Sequence, residues 1–321
     1  MKYRKFTYFF GLVFLTCFSG CGPKIYSDSL FSMETVVEVT SSDPRASRIV
    51  FAEFARLEKI FNLFDDKSEL SLLNSKGEIY VSSDFFEVLK ISRQYYIQTE
   101  GFFDISIGPV SLLWKKAILE SRLPEDKEVR EALGFVGFNF VYLDEKRHFV
   151  KLLKDGAKLD CGGIVKGVAL DRAVLKLKQA GVRDAMIDAG GDLYCLGRNR
   201  NKPWRIGIQD PRKPKHIVES IALENMACAT SGDYEQFFIF KDKRYSHIID
   251  PKTGYPADSE VASATILAPS AATAVVLAKV CVLTGEAGSR DSLRKFKDCH
   301  AIIVLKDGSV REIGHAKFSK N

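Results

Sequence analysis

Residues 159–167, LDCGGIVKG, contain residue types suited to holding an anion. Gly162 and Gly163 carry no side chains, so a ligand can approach their backbone closely. The helix-like segment that follows would present free N–H groups and the positive end of its dipole, and Lys166 adds a charge. The segment lacks the spacing of a Walker loop or a GxGxxG dinucleotide fingerprint. Taken alone, it is explained most simply as a tight turn between a strand and a helix.

Four further segments place polar residues in turns between apolar stretches. They are GFFDISIGP (101–109), DAGGD (188–192), ATSGDYEQFF (229–238) and YSHIIDPKTGYP (245–256). The side chains in them that suit acid–base or binding chemistry include Asp104, His247 and Asp250. Loops of this composition on an apolar scaffold often carry function, although Asp and Gly also serve simply to make turns.

Hydrophobic periodicity predicts the elements that must position these loops. Apolar residues recur at helical spacing in residues 47–64, 83–101, 164–179 and 270–285, and a short helix is expected within 121–135. Strand-like segments occupy residues 33–40, 184–197, 203–211, 219–232, 235–250 and 260–269. Hairpins are expected with turns near residues 144–146 and 307–308. This mixture of helices and strands predicts an α+β fold.

Composition narrows the class of protein. The chain has 321 residues, 46% of them hydrophobic, which suffices for a substantial core. The formal charge of +6 includes Lys2, Arg4 and Lys5, and the charges that follow are interspersed in sign. Without a basic stripe, nucleic-acid binding is not expected.

The cysteines show no metal-binding pattern. Those after residue 21 lie scattered, without CxxC or zinc spacing; they are Cys161, Cys195, Cys228, Cys281 and Cys299. Their odd number argues against a complete disulfide framework, and we expect most of them to be buried as small apolar residues. A single disulfide bond stays possible.

The N-terminus has the pattern of an export signal. MKYRK is positively charged, and FTYFFGLVFLTCF is apolar but too short to span a membrane comfortably. FSGC then resembles the lipobox of a bacterial lipoprotein, with Phe18 where Leu is usual. We therefore expect a signal peptide at 1–20, a lipidated Cys21 with a tether at 21–32, and a domain at 33–321 exported to the periplasmic side or surface of a bacterial membrane. The alternatives are an ordinary secreted protein and a single N-terminal anchor.

Taken together, these segments resemble the ApbE family, the FAD:protein FMN transferases. The matching segments follow the family order over residues 33–290: METVVEV, SELSLLN, GFFDISIGP, LDCGGIVKGVALDRA, DAGGDLYCLG, PWRIGIQDP, ATSGDYEQFF, YSHIIDPKTGYP and APSAATA. The resemblance implies an α+β fold with two lobes of mixed sheets and helices around a deep FAD cleft. It also implies Mg2+-assisted transfer of FMN from FAD to a Thr or Ser of an acceptor flavoprotein, with release of AMP.

The resemblance also implies which residues form the site. The expected FAD contacts are Met33, Phe64, Phe102, Phe103, Asp104, Gly162, Val168 and Ile249, to which the loop argument adds Gly163 and Lys166. His247 and Asp250 are the candidate catalytic residues. His247 either takes the proton of the acceptor hydroxyl, orients the site, or only bonds to the neighbouring turn. In this interpretation the glycine loop faces the diphosphate of FAD.

The segment 268–283 departs from the family pattern. The family's metal-binding Asp and Thr fall on Val275 and Lys279, and a further Asp position falls on Ala278. The main-chain carbonyl at Val165 is the ligand that does not depend on side-chain identity. Mg2+ requires oxygen ligands, which valine and alanine side chains do not supply.

Several explanations of this departure stay open. Lys279 could occupy the place of the metal and contact the FAD diphosphate, or it could reach the solvent from a buried helix. Alternatively, the alignment of this helix is wrong, or Mg2+ binds through phosphate oxygens with Asp188 or Asp250. The expected function is accordingly the transferase, with a non-catalytic, metal-independent FAD-binding lipoprotein, a flavin carrier or reservoir, as the alternative.

Overall fold

Residues 24–213, 215–234, 237–314 and 319–320 are described by the structure, a computed structural model. The predicted signal peptide and Cys21 lie outside these residues. The helices are α1 (Ala46–Phe61), α2 (Glu69–Lys76), α3 (Ser83–Gln98), α4 (Gly108–Leu119), α5 (Asp126–Leu133), α6 (Val165–Gln179) and α7 (Ala271–Leu293). The strands are β1 (Tyr26–Ser32), β2 (Thr35–Ser41), β3 (Glu78–Tyr80), β4 (Val141–Asp144), β5 (Phe149–Leu152), β6 (Ala185–Ala189), β7 (Leu193–Leu196), β8 (Trp204–Gln209), β9 (Ile217–Leu223), β10 (Met226–Gly232), β11 (Phe237–Phe240), β12 (Lys243–Ser246), β13 (Val261–Ala268), β14 (His300–Leu305), β15 (Val310–Gly314) and β16 (Ser319–Lys320).

An eight-stranded antiparallel sheet forms the framework, with strand order β1-β2-β6-β7-β10-β13-β14-β15. Two three-stranded sheets, β16-β9-β8 and β3-β5-β4, and the hairpin β11-β12 accompany it. The α+β class expected from the sequence is confirmed.

Both faces of the central strands are covered. Alternate residues of a strand point to opposite faces of its sheet. On β13, Ala264 and Ile266 join the large core that includes α7, whereas Leu267 joins a second cluster with Trp204 of β8. All eight residues of β13 are therefore buried, and α1, α6 and α7 pack together on one side of the sheet.

Helix α7, which the sequence predicted over residues 270–285, is mostly buried. It is long and apolar enough to cross a membrane by length and composition. It nevertheless packs against β10, β13 and α6, as the core helix of a globular domain does. The five cysteines Cys161, Cys195, Cys228, Cys281 and Cys299 are also buried, and all are free thiols.

Most predicted elements are present, with shifted ends. The hairpins β4–β5 and β14–β15 have their turns where expected. Three segments expected to be single strands are hairpins or successive strands instead, because a turn interrupts each: β6–β7, β9–β10 and β11–β12. The first of these turns contains Gly190 and Gly191, both with positive φ.

Some elements of the structure were not predicted from the sequence, β1 and α4 among them. The segment assigned to the tether forms β1, which pairs with β2 from Tyr26 to Ser32, so the folded domain begins before residue 33. Five of the seven β1 residues are exposed, so the strand lacks the apolar alternation that would have revealed it. Helix α4 was also missed, although Pro109 in its first turn is a common start signal.

Candidate active site

One cleft of about 1880 Å³ collects the loops singled out in the sequence. Its wall includes the β1–β2 turn, the β6–β7 turn and the loop before α6, together with parts of α4, β8 and the hairpin β11–β12. Ordinary ligand pockets measure about 300–1,000 Å³. This cleft can therefore accommodate a dinucleotide and still leave room for part of a second molecule.

The cleft brings together most of the predicted site residues. Those on its wall are Met33, Phe64, Phe102, Phe103, Asp104, Gly162, Gly163, Val165, Lys166, His247, Ile249 and Lys279. Val168, Val275 and Ala278 lie in the core instead, with exposed fractions of 4%, 0% and 0%. Asp250 is not on the wall either. The structure thus gathers the candidates, and the role of each residue stays a prediction.

The loop before α6 has the features of an anion cradle. Asp160 Oδ1 accepts a hydrogen bond from the Gly162 N–H at 2.9 Å, which folds the loop. No side chain caps the N-terminus of α6. A Cβ on Gly163 would lie 3.3 Å from a ring carbon of Phe103, so glycine permits close packing here. The positive end of the α6 dipole faces this loop.

The β6–β7 turn lies beside the same loop and carries two carboxylates, Asp188 and Asp192, the second of which pairs with a lysine. Lys166 Nζ lies 2.9 Å from Asp192 Oδ2, and Asp192 is buried. Asp188 Oδ1 accepts from the Gly191 N–H at 2.7 Å, and burial raises the pKa of Asp188. The charge of Lys166 is thus already matched by a carboxylate of the protein.

The β1–β2 turn presents Met33 to the cleft through an unusual backbone. Met33 and Glu34 have φ of 51° and 61°, a region that non-glycine residues rarely adopt. Glu58 holds the turn by accepting hydrogen bonds from Ser32 Oγ at 2.7 Å and from the Met33 N–H at 3.0 Å. Local strain of this kind persists only where the surroundings enforce it.

Aromatic side chains supply the apolar part of the wall. Phe64 is 72% exposed, which is unusual for a large apolar residue. Lys115 Nζ lies 5.7 Å from the centre of its ring. Lys252 Nζ lies 3.6 Å from the centre of the Phe102 ring. These rings offer a surface on which a planar ligand can stack.

Asp104, in contrast, is a buried part of the cleft wall, with only 6% of its surface exposed. Its Oδ1 accepts from the Ser106 N–H at 2.8 Å. Burial is the main cause of the raised pKa of Asp104, and the residue holds the turn that leads into α4.

The segment after β12 separates its two candidate catalytic residues. His247 is exposed and lies on the cleft wall. Asp250 forms a turn, in which its Oδ1 accepts from the Lys252 N–H at 2.8 Å and its N–H donates to the Tyr255 carbonyl at 2.8 Å. His247 therefore has access to a bound molecule, while Asp250 shapes the loop.

Helices α6 and α7 run antiparallel and in close contact. A Cβ on Gly167 would lie 2.6 Å from the Cα of Ala272, which explains the glycine. One turn later, Asp171 caps α7: its Oδ1 accepts from the Ala271 N–H at 2.7 Å. Its Oδ2 accepts from the Ala272 N–H at 3.0 Å and from Ser270 Oγ at 2.7 Å.

Two turns into α7, Lys279 lies beside the glycine loop of α6. Its Cδ and Cε are 3.9 Å from the position of a Cβ on Gly163. Its ammonium donates to the Val275 carbonyl at 3.3 Å, and the residue lines the cleft. Lys279 thus reaches the cleft from a buried helix, and its role there stays a prediction.

A family model for "ApbE family" matches residues 33–303 of the chain. The protein belongs to the ApbE family. A FAD:protein FMN transferase of Haemophilus influenzae is 31% identical over 293 residues, which cover 88% of this chain and 85% of that protein. That of Vibrio cholerae is 34% identical over 261 residues, 78% of this chain and 77% of the relative.

Solved structures of ApbE proteins share the fold. The ApbE protein of Thermotoga maritima superposes with a TM-score of 0.83 at 31% identity, covering 90% of this chain and 97% of that one. The flavin transferase ApbE of Vibrio cholerae gives a TM-score of 0.78 at 26% identity, covering 90% of this chain and 96% of that one.

The positions that the sequence resemblance assigned to Mg2+ ligands do not fit a metal in this chain. Val275 and Ala278 have no side-chain oxygen and are fully buried, and Lys279 brings a positive charge. No group of three or more His, Cys, Asp or Glu side chains suited to a metal occurs in the part of the chain that the structure describes. A hard cation that needs oxygen ligands therefore lacks a side-chain site at this position.

The structure also adds site residues that the sequence did not single out. The cleft wall includes Glu58, Lys115 and Asp160. Asp160 lies two residues before Gly162, and a turn-forming Asp at that spacing is a readable signal. Glu58 lies on α1, which was predicted, and Lys115 lies on α4, which was missed. The local sequence gives no sign that either side chain reaches the cleft.

Proposed function

We propose that this protein is a FAD:protein FMN transferase, with FAD as its flavin donor and a flavoprotein subunit as acceptor. Family membership and the names of its relatives support this activity. The observation that carries the proposal is the cleft itself. It joins the helix N-terminus at Gly163 to the exposed ring of Phe64 and to His247, so it can hold a diphosphate and a flavin next to a group that handles protons.

The reaction needs one bond exchange at phosphorus. The hydroxyl oxygen of an acceptor Thr or Ser attacks the phosphorus of the FMN half of FAD. The bond from that phosphorus to the bridging oxygen breaks, AMP leaves with the bridging oxygen, and the hydroxyl proton passes to a base. We assign the proton to His247, which is exposed on the cleft wall where an acceptor can reach it.

The protein's own groups can stabilise the developing charge. The first residues of α6 line the cleft and its N-terminus has no side-chain cap; N–H donors at a helix start stabilise charge on phosphate oxygens. Phe64 and Phe102 provide faces for the flavin ring. Mg2+ is expected of the family, but because the residues at its position do not fit it, we derive no step through the metal.

Product analysis tests the activity. The purified protein is incubated with FAD and an acceptor subunit that carries a target threonine, in Mg2+ or in EDTA, and AMP and protein-bound flavin are measured. We expect AMP release together with flavin on the acceptor, and loss of both in His247→Ala. Tight FAD binding without AMP under either condition would instead support the flavin carrier, a function favoured by the missing oxygen ligands at Val275 and Ala278.

We extend the proposal to location: the protein is exported and anchored through a lipid on Cys21. The support is the sequence pattern of residues 1–21, which lie outside the described residues. Because β1 begins at Tyr26, residues 22–25 alone would separate the lipid from the sheet. Mass spectrometry of membrane-extracted protein is expected to find an acylated N-terminal Cys21, and Cys21→Ala should move the protein to the soluble fraction. An unmodified cysteine would contradict the proposal.

A further inference from the structure

The position of Lys279 is fixed by its surroundings. Lys279 lines the cleft, its methylene groups lie against Gly163, and its ammonium donates to the Val275 carbonyl at 3.3 Å. Helix α7 around it is almost wholly buried. The lysine therefore has a rigid base and a short path to anything bound at the glycine loop.

The charge of Lys279 has the same sign as the helix end that it faces. The N-terminus of α6 carries a partial positive charge and has no side-chain cap. A cation beside such an end is unfavourable unless an anion lies between the two. The arrangement is therefore suited to an anion that enters the cleft, and a diphosphate supplies two negative groups.

The neighbouring lysine is arranged differently. Lys166 sits in the first turn of α6, but its ammonium forms an ion pair with the buried Asp192 at 2.9 Å. Part of its charge is thus balanced within the protein. Lys166 is therefore held at the β6–β7 turn, whereas the methylene groups of Lys279 lie against the glycine loop itself.

We propose that Lys279 provides the cation of the diphosphate site, so that this protein binds FAD without a divalent metal. The proposal rests on the transferase assignment for the identity of the ligand, and on the α6–α7 geometry for the role of the lysine. It accounts for the Val275 and Ala278 positions as well, because a lysine that replaces a metal leaves no need for carboxylate ligands beside it.

Flavin binding tests the proposal with the full-length protein. Quenching of flavin fluorescence measures the affinity for FAD and for riboflavin, which has the same ring and no phosphate, in EDTA and in Mg2+. We expect the same FAD affinity in both. Lys279→Ala should weaken FAD binding about tenfold to a hundredfold, the worth of a hydrogen bond to a charged group. Its riboflavin affinity should not change.

Matched variants separate charge from structure. Lys279→Arg keeps the charge and should retain most of the FAD affinity, whereas Lys178→Ala, an exposed lysine on α6, should match the wild type. FAD binding that disappears in EDTA would overturn the proposal and leave the transferase assignment intact. Equal losses for FAD and riboflavin in Lys279→Ala would also overturn it, by showing a structural role. A wild type that binds FAD in neither condition would refute both proposals.

Discussion

Helices α6 and α7 run antiparallel, and the N-terminus of each faces a charged residue about two turns into the other helix. At the start of α7 that residue is Asp171, which accepts hydrogen bonds from two backbone N–H groups and from Ser270. At the start of α6 it is Lys279, whose methylene groups lie against the glycine loop. One helix end is thus closed by an anion of the protein, while the other is bordered by a cation and opens to the cleft.

The difference shows how one physical property serves two purposes. A helix N-terminus attracts negative charge. Where the protein supplies the carboxylate, the attraction stabilises the fold. Where the protein supplies a glycine pair and a lysine, the helix N-terminus can attract a negatively charged ligand instead. Substitutions at the start of α7 should therefore change the stability of the fold. Substitutions at the start of α6 should change ligand binding.

The largest effect on stability is expected at Asp171. Asp171→Ala removes the acceptor of three hydrogen bonds, and the buried N–H groups of Ala271 and Ala272 lose their partner. The unfolding free energy should fall by about 3 kcal/mol, measured by urea denaturation. Ser270→Ala, which removes the other cap of α7, should cost about 1 kcal/mol. A smaller loss for Asp171→Ala than for Ser270→Ala would contradict this account of the α7 end.

The environment of Asp171 also predicts how the unfolding free energy depends on pH. Burial raises its pKa above the ordinary value of 3.8, so the folded protein keeps this proton over a range where the unfolded chain has lost it. The contribution of Asp171 to the unfolding free energy therefore falls as the pH rises from about 4 through the raised pKa. The difference in unfolding free energy between wild type and Asp171→Asn should be larger near pH 4 than at pH 7. Equal differences at the two pH values would argue against a raised pKa.

A somewhat smaller effect is expected where the helices cross. In Gly167→Ala the new methyl group would meet the backbone of Ala272 at 2.6 Å, so the helices must separate. We expect a loss of about 2 kcal/mol in unfolding free energy, together with weaker FAD binding because Lys279 moves relative to Gly163. Gly162→Ala is the control for stability, since its methyl group meets only the Asp160 carboxylate, at 3.1 Å. Unchanged FAD binding in a destabilised Gly167→Ala would show that the crossing does not position Lys279.

Sequence patterns predicted the elements that bury apolar faces. The periodicity of α6 and α7 and the turn at Gly308 are local properties, and the structure confirms them. Strand β1 was missed because it lies at the sheet edge and exposes most of its side chains. The fold class depends on hydrophobic periodicity and turn residues, which are local in the sequence, so it could be predicted.

The arrangement of the site could be predicted only in part. The glycine loop and His247 were recognisable as segments, and the structure places them on one cleft. That Asp171 closes one helix end while Lys279 borders the other depends on contacts across about a hundred residues of sequence. No periodicity reports such a contact, since it arises from how the helices pack.

The hairpin of β1 and β2 gives the domain a mechanical property. Tyr26 pairs with Ser41 at the open end of the hairpin, and Ser32 pairs with Thr35 beside the turn. Tension applied to the chain ahead of Tyr26 opens this ladder one pair at a time, so the load reaches Met33 last. Glu58 accepts hydrogen bonds from Ser32 and from Met33, so it holds the last pair of the ladder in place. Force on the N-terminus would therefore separate the outer pairs of the hairpin before it distorted the cleft.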